Sequence, residues 1–162
     1  MSEYSYENLE PGEKIVTRTR IITSSEIELI SALVGVTNPI FQSKEAAKSQ
    51  GFDDKITPGA VIEAYAIGME YQTGIYDGMI VLVEVDQLRF KAPLFHNSSL
   101  RSELEVLSKR ETSRRDRAIV VFQRRCYSNE KEILEGRLTF LYRRASLPRL
   151  QDPTTSEDGY SS

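Results

Sequence analysis

Apolar residues recur at helical spacing through the first half of the chain and at every second position after Met79. In the first half, Ile27, Ile30, Leu33 and Val34 share one side of a helix that begins at Thr23-Ser24-Ser25-Glu26, a capping box. Gly35 is placed to end that helix, and Ser43 to cap a short one through Ser49 that Gly51 closes. Pro58-Gly59 opens the most apolar helical stretch, GAVIEAYAIGMEYQTG. Val61, Ile62, Tyr65, Ala66 and Met69 cover much of its circumference, which predicts a helix buried on several sides.

Beyond Met79 the pattern predicts strands over Met79 to Lys91, Leu100 to Lys109, Arg117 to Tyr127 and Glu132 to Arg143. In the last, Leu134, Leu138, Phe140 and Tyr142 share one face, and Glu135, Arg137 and Thr139 the other. That alternation belongs to an antiparallel sheet with one wetted side. Lys14 to Ile22, rich in β-branched residues, predicts one further strand at the start. One antiparallel β-sheet wrapped around a long central helix satisfies this order: an α+β fold of the hotdog type. Two such sheets are expected to pair edge to edge as a dimer, which covers exposed edges. Residues 1–145 form the expected single domain. The tail from Ser146, SLPRLQDPTTSEDGYSS, has little to bury and is expected to be mobile.

Composition narrows the chemistry. The 162 residues suit one domain able to bury its own core. No apolar run is long enough to span a bilayer, and the acidic start MSEYSYENLEPGEK does not resemble a secretory leader, so a cytoplasmic location is expected and no membrane partner. The single cysteine, Cys126, and single histidine, His96, exclude an internal disulfide, a cysteine metal cluster and a zinc site of several histidines; no metal is expected. A net charge of -3 gives no overall attraction to nucleic acid.

The stretch LVGVTNPIFQSKEAAKSQGFDDKITPGAV carries more information. With LRFKAPLFHNSSL further on, it resembles the MaoC-like dehydratases, the hotdog (R)-specific enoyl-CoA hydratases. Asn38-Pro39, Ala46, Gly51-Phe52 and Gly59 match that family's pattern, and the resemblance runs from about Pro11 to Arg143. It implies enoyl-CoA hydratase or dehydratase (lyase) chemistry in fatty acid metabolism, on a coenzyme A or carrier-linked acyl thioester as substrate, with no cofactor. In the family an Asp and a His of the Asn-Pro turn hold and activate the water that adds across the double bond. Here those positions are Val36 and Phe41, the acid beyond the His is Ser43, and the His before the central Gly is Pro58. The Gly-Asp of the later stretch falls at or near Asn97-Ser98. Valine and phenylalanine neither move a proton nor hold a water by hydrogen bonds. One family device needs only backbone: the N–H of Gly59, at a helix start, matches the group that binds the thioester carbonyl.

Substrate-binding residues implied in this way are Asn38, Gly59, Val36, Phe41 and Lys91, the last at a basic position of the family. Asn38 has a simpler reading, as the cap of a turn between helices. Glu63 is the surviving candidate for a catalytic carboxylate, one turn into the buried helix, where hotdog thioesterases often carry one. It shares a face with Glu70, and the alternatives are that this face is wet or that Glu63 pairs with an arginine. His96, in a predicted loop after Pro93, is expected at the surface. Arg89 and the hairpin KRETSRRDR offer charge for coenzyme A phosphates, or form a solvated hairpin partly neutralised by Glu111 and Asp116. Three readings remain: a dehydratase-class protein, a non-catalytic acyl-binding subunit, or an acyl-CoA thioesterase through Glu63. The first fits a homodimer. The second fits a heterodimer with a complete MaoC-like chain.

Overall fold

A computed structural model describes residues 4–145. The expected tail, residues 146–162, lies outside the described residues. Two short strands come first, β1 (Lys14–Val16) and β2 (Arg20–Ile22), then helix α1 (Ser24–Val34). A 3-10 turn (Pro39–Phe41), α2 (Lys44–Ser49) and the long helix α3 (Gly59–Tyr71) follow. Four long strands complete the domain: β3 (Met79–Phe90), β4 (Ser98–Glu111), β5 (Arg117–Ser128) and β6 (Lys131–Arg143). All pairings are antiparallel, in the order β1-β4-β5-β6-β3, with β2 also on β4.

The single strand expected over 14–22 is two. Thr17 breaks it. Its backbone N–H donates to the Ser102 carbonyl at 2.9 Å, and its hydroxyl accepts from the Ser102 N–H at 3.0 Å. A side chain thus replaces one rung of the ladder, and Arg18 and Thr19 swing outward into solvent. Helix α1 starts as its capping box requires: the Thr23 side chain accepts from the Glu26 N–H, and the Glu26 carboxylate accepts from the Thr23 N–H. Gly35 ends it at φ 76°, a conformation that costs glycine little.

Helix α3 lies on the sheet, with Val61, Ile62, Ala66, Met69 and Glu70 buried. The core beneath it has two parts. One gathers Phe122, Phe140, Tyr142, Tyr76 and Leu104; the other gathers Ile22, Ile27, Ile62, Leu100, Cys126 and Leu134. Along the inward register of each inner strand a polar or small residue separates them. It is Ser102 between Leu100 and Leu104, Arg124 between Phe122 and Cys126, and Gly136 between Leu134 and Leu138. Arg124 is opposite Leu104 on one side and Gly136 on the other.

Candidate functional site

The Asn-Pro turn is built locally. Asn38 is extended and its side-chain oxygen accepts from the Ile40 N–H at 3.2 Å, so it caps the 3-10 turn that Pro39 opens. Ser43 caps α2 through the Ala46 N–H at 3.2 Å. The Ile40 carbonyl accepts from the Ile56 N–H at 3.4 Å, which ties the turn to the lead-in of α3. Val36 and Phe41 flank it half-buried, and Asn38 is exposed. An open groove of about 530 Å³ runs beside the turn, lined by Asn38, Ile40, Ala46 and Phe52 among others. Its lining includes neither Val36 nor Phe41. A second groove of about 400 Å³, by Arg18, Arg20 and Met69, lies on the β1–β2 side.

At the start of α3 the first two amides are open. Val61 and Ile62 donate to the Pro58 carbonyl, while Pro58 supplies no side-chain cap. The N–H groups of Gly59 and Ala60 therefore have no partner among the described residues. Thr57, just upstream, is 4% exposed and its hydroxyl is also unpartnered. The ring of Phe90, half exposed at the end of β3, closes over Gly59.

One turn further along α3, Glu63 does not stand alone. The Arg124 Nη1 donates to its Oε1 at 3.1 Å. Arg124 also donates from Nε to Glu70 Oε1 at 2.7 Å and from Nη2 to Glu70 Oε2 at 2.5 Å. Tyr76 and Ser102 each donate a hydroxyl to Glu70, both at 2.6 Å. Glu70 and Arg124 are almost wholly buried, whereas the Glu63 side chain keeps 22% of its exposure. The arrangement agrees with the ion-pair alternative for Glu63. Burial works against the Arg124 cation, but the Glu70 carboxylate holds its proton affinity above the usual arginine range. Burial, then the same carboxylate, raises Tyr76. Burial pushes the Cys126 thiol up to about 12, so it is an inert core group. Sequence reasoning missed Arg124. The available signal was its register: in β5 it occupies the inward row with Val120, Phe122 and Cys126.

The remaining expected residues are dispersed. Lys91 is held by Glu132 at 2.7 Å and Glu135 at 2.8 Å, bonds that raise its proton affinity. Arg89 approaches Glu135 at 3.9 Å. The hairpin behaves as the solvated alternative has it, with Arg114 and Arg117 on Asp116 and Arg144 on Glu111. His96 corrects its expectation: it is 9% exposed, not a surface side chain. Residues 55–57 pair with 94–96, and Nδ1 of His96 lies 2.8 Å from the Ser24 hydroxyl at the start of α1. Among the described residues no cluster of three or more His, Cys, Asp or Glu side chains is placed to hold a metal. None of their helices is long and apolar enough to cross a membrane.

A family model for the MaoC-like domain matches residues 7–122. The chain belongs to the MaoC-like domain family. Its sheet and central helix superpose on the MaoC-like dehydratase of Rhodospirillum rubrum with a TM-score of 0.79 at 19% identity, over 88% of this chain and 99% of that one. The HadBC (3R-hydroxyacyl-ACP dehydratase) complex of Mycobacterium tuberculosis gives 0.68 at 20% identity, over 82% of this chain and 98% of that one. At such identities these likenesses show the hotdog fold. A curated relative, the mitochondrial 3-hydroxyacyl-[acyl-carrier-protein] dehydratase of Arabidopsis thaliana, is 22% identical over 141 residues, 84% of this chain and 76% of that protein. All three of these relatives of the MaoC-like chain are dehydratases by name.

Proposed function

We propose that this MaoC-like chain is the acyl-binding half of a two-chain hotdog dehydratase. It holds an acyl thioester, on coenzyme A or a carrier, by its carbonyl oxygen at the Gly59 amide. It leaves the proton transfers to the acid and base of a second, complete MaoC-like chain. The observation that carries this is the pairing of two open amides at the start of α3 with apolar side chains, Val36 and Phe41, on the turn tied to its lead-in. The amides can bind a carbonyl and stabilise charge developing on it. The turn cannot take a proton from water. A positioned acid–base group is worth roughly 10²–10⁴-fold, about 5.5 kcal/mol of barrier at the upper end. HadBC, by its name a complex, supports the two-chain arrangement. So does the free edge of β3, where Val81, Val83, Val85 and Phe90 are each 42 to 57% exposed.

The test is to mix the purified chain with crotonyl-CoA and follow the loss of the conjugated double bond. Binding in calorimetry with hydration at the uncatalysed rate is expected. Adding a complete MaoC-like chain from the same organism should restore turnover above that chain's own, and the two should co-purify. Hydration by this chain alone would show that other groups have replaced the pair, and would end the reading.

A further inference from the structure

We infer that Phe90 determines which acyl groups this MaoC-like chain accepts, by walling one side of the carbonyl site so that only thioesters flat and unbranched at the α-carbon fit. The inference rests on the reading of Gly59 given above and adds the substrate class.

The ring meets Gly59 end-on. A Cβ built on Gly59 would lie 2.7 Å from Cζ, 2.9 Å from Cε1 and 3.2 Å from Cε2 of Phe90. Nothing else comes as near, so a larger residue there must displace the ring. Yet Phe90 belongs to neither part of the core and keeps 49% of its exposure. An aromatic ring left half in water loses about half of the gain that burial would bring. The backbone beneath it is held: Phe90 pairs with Leu134 of β6, and the next residue, Lys91, donates its N–H to the Ile133 carbonyl at 2.8 Å. That pairing anchors the base of the side chain, and the ring tip rests against Gly59, beside the two open amides.

A thioester carbonyl accepting from the Gly59 N–H at about 2.9 Å brings its α-carbon within roughly 4 Å of the same amide. On the Phe90 side the edge of the ring already stands at about that distance from Gly59. A planar acyl group, such as an enoyl, can pass flat beside that edge. An α-methyl branch must push into it, and packed walls discriminate one methyl by about 10–200-fold.

The experiment compares calorimetric affinities of crotonyl-CoA and isobutyryl-CoA for the wild type, Phe90→Leu, Phe90→Ala, Gly59→Ala and the Gly59→Ala/Phe90→Ala double variant, each checked for folding by its melting curve. The wild type should prefer crotonyl-CoA by about tenfold or more. The preference should shrink in Phe90→Leu and fall below about threefold in Phe90→Ala. Alanine at 59 keeps the N–H, so Gly59→Ala should act only by displacing the ring, and the double variant should bind like Phe90→Ala. If Phe90→Ala keeps the wild-type preference while still binding, Phe90 is no selector and the Gly59 reading stands. If the wild type binds neither thioester, both fall.

Discussion

Glu70 and Arg124 have almost no contact with solvent, so their hydrogen bonds come from within the protein, chiefly from each other. Glu70 accepts four, from Arg124 twice, Tyr76 and Ser102. Removing one partner of such a pair leaves a buried charge uncompensated. Arg124→Met should therefore lower the unfolding free energy by about 3–5 kcal/mol in a urea titration. Glu63 takes a single Arg124 N–H and is partly wet, so Glu63→Gln should cost no more than about 1.5 kcal/mol. Free thiol released from acyl-CoA should match the uncatalysed rate in both wild type and Glu63→Gln. Turnover that this substitution abolishes would make Glu63 a nucleophile or base. His96 gives a second residue-level prediction. Burial, then the Lys55 cation, lowers its proton affinity, against smaller opposing effects of Glu28, the Ile56 carbonyl and Asp54. The unfolded chain then binds the proton more readily than the folded one, so stability is full above the unfolded pKa of about 6.5 and declines as pH falls below it. As the only histidine, His96 can be followed by one imidazole NMR resonance. The wild-type melting temperature should drop more between pH 7.5 and 5 than that of His96→Gln; equal drops would refute the shift.

At the scale of elements, what the sequence made legible was whatever depends on neighbours along the chain. The capping box at Thr23, the glycine ending α1 and the Asn38 cap are contacts within four residues, and each forms as read. Strands β4, β5 and β6 are legible for a similar reason: one wetted face writes an alternation into each. The misreadings all involve partners far off in sequence. The 14–22 strand breaks because Thr17 meets Ser102, 85 positions away. His96 is buried because residues 55–57 run beside it and α1 covers it. Arg124 is not legible along the chain because a charge in an inward register is costly unless paired, and its partners are 54 and 61 positions distant. The candidate site divides in the same way. The open amides of α3 follow from Pro58-Gly59, whereas the Phe90 ring over Gly59 depends on β3 returning past the helix start.

For the whole molecule, the unanswered physical problem is the outer edge of β3. It pairs with β6 on one side only, over twelve residues, and offers Ile80, Val81, Val83, Val85, Leu88 and Phe90 to solvent. Long apolar edges recruit further strands. Two features oppose this: three register shifts against β6, and Glu84, Asp86 and Arg89 among the apolar positions. Bulges and charges are the usual protection of an edge. The apolar side chains outnumber the charged ones two to one, however, and lie along its full length. Association is therefore the expected outcome, with a second copy when no complete MaoC-like chain is present. Sedimentation should give a mass near twice the 18.4 kDa of one chain. Val83→Lys with Val85→Lys should return it to a single chain with an unchanged far-UV spectrum, because a pair of lysines on a strand edge blocks pairing without touching the core. A wild type that stays single at high concentration would mean that the three register shifts and the charges protect the edge, and that the partner of this chain must engage another surface.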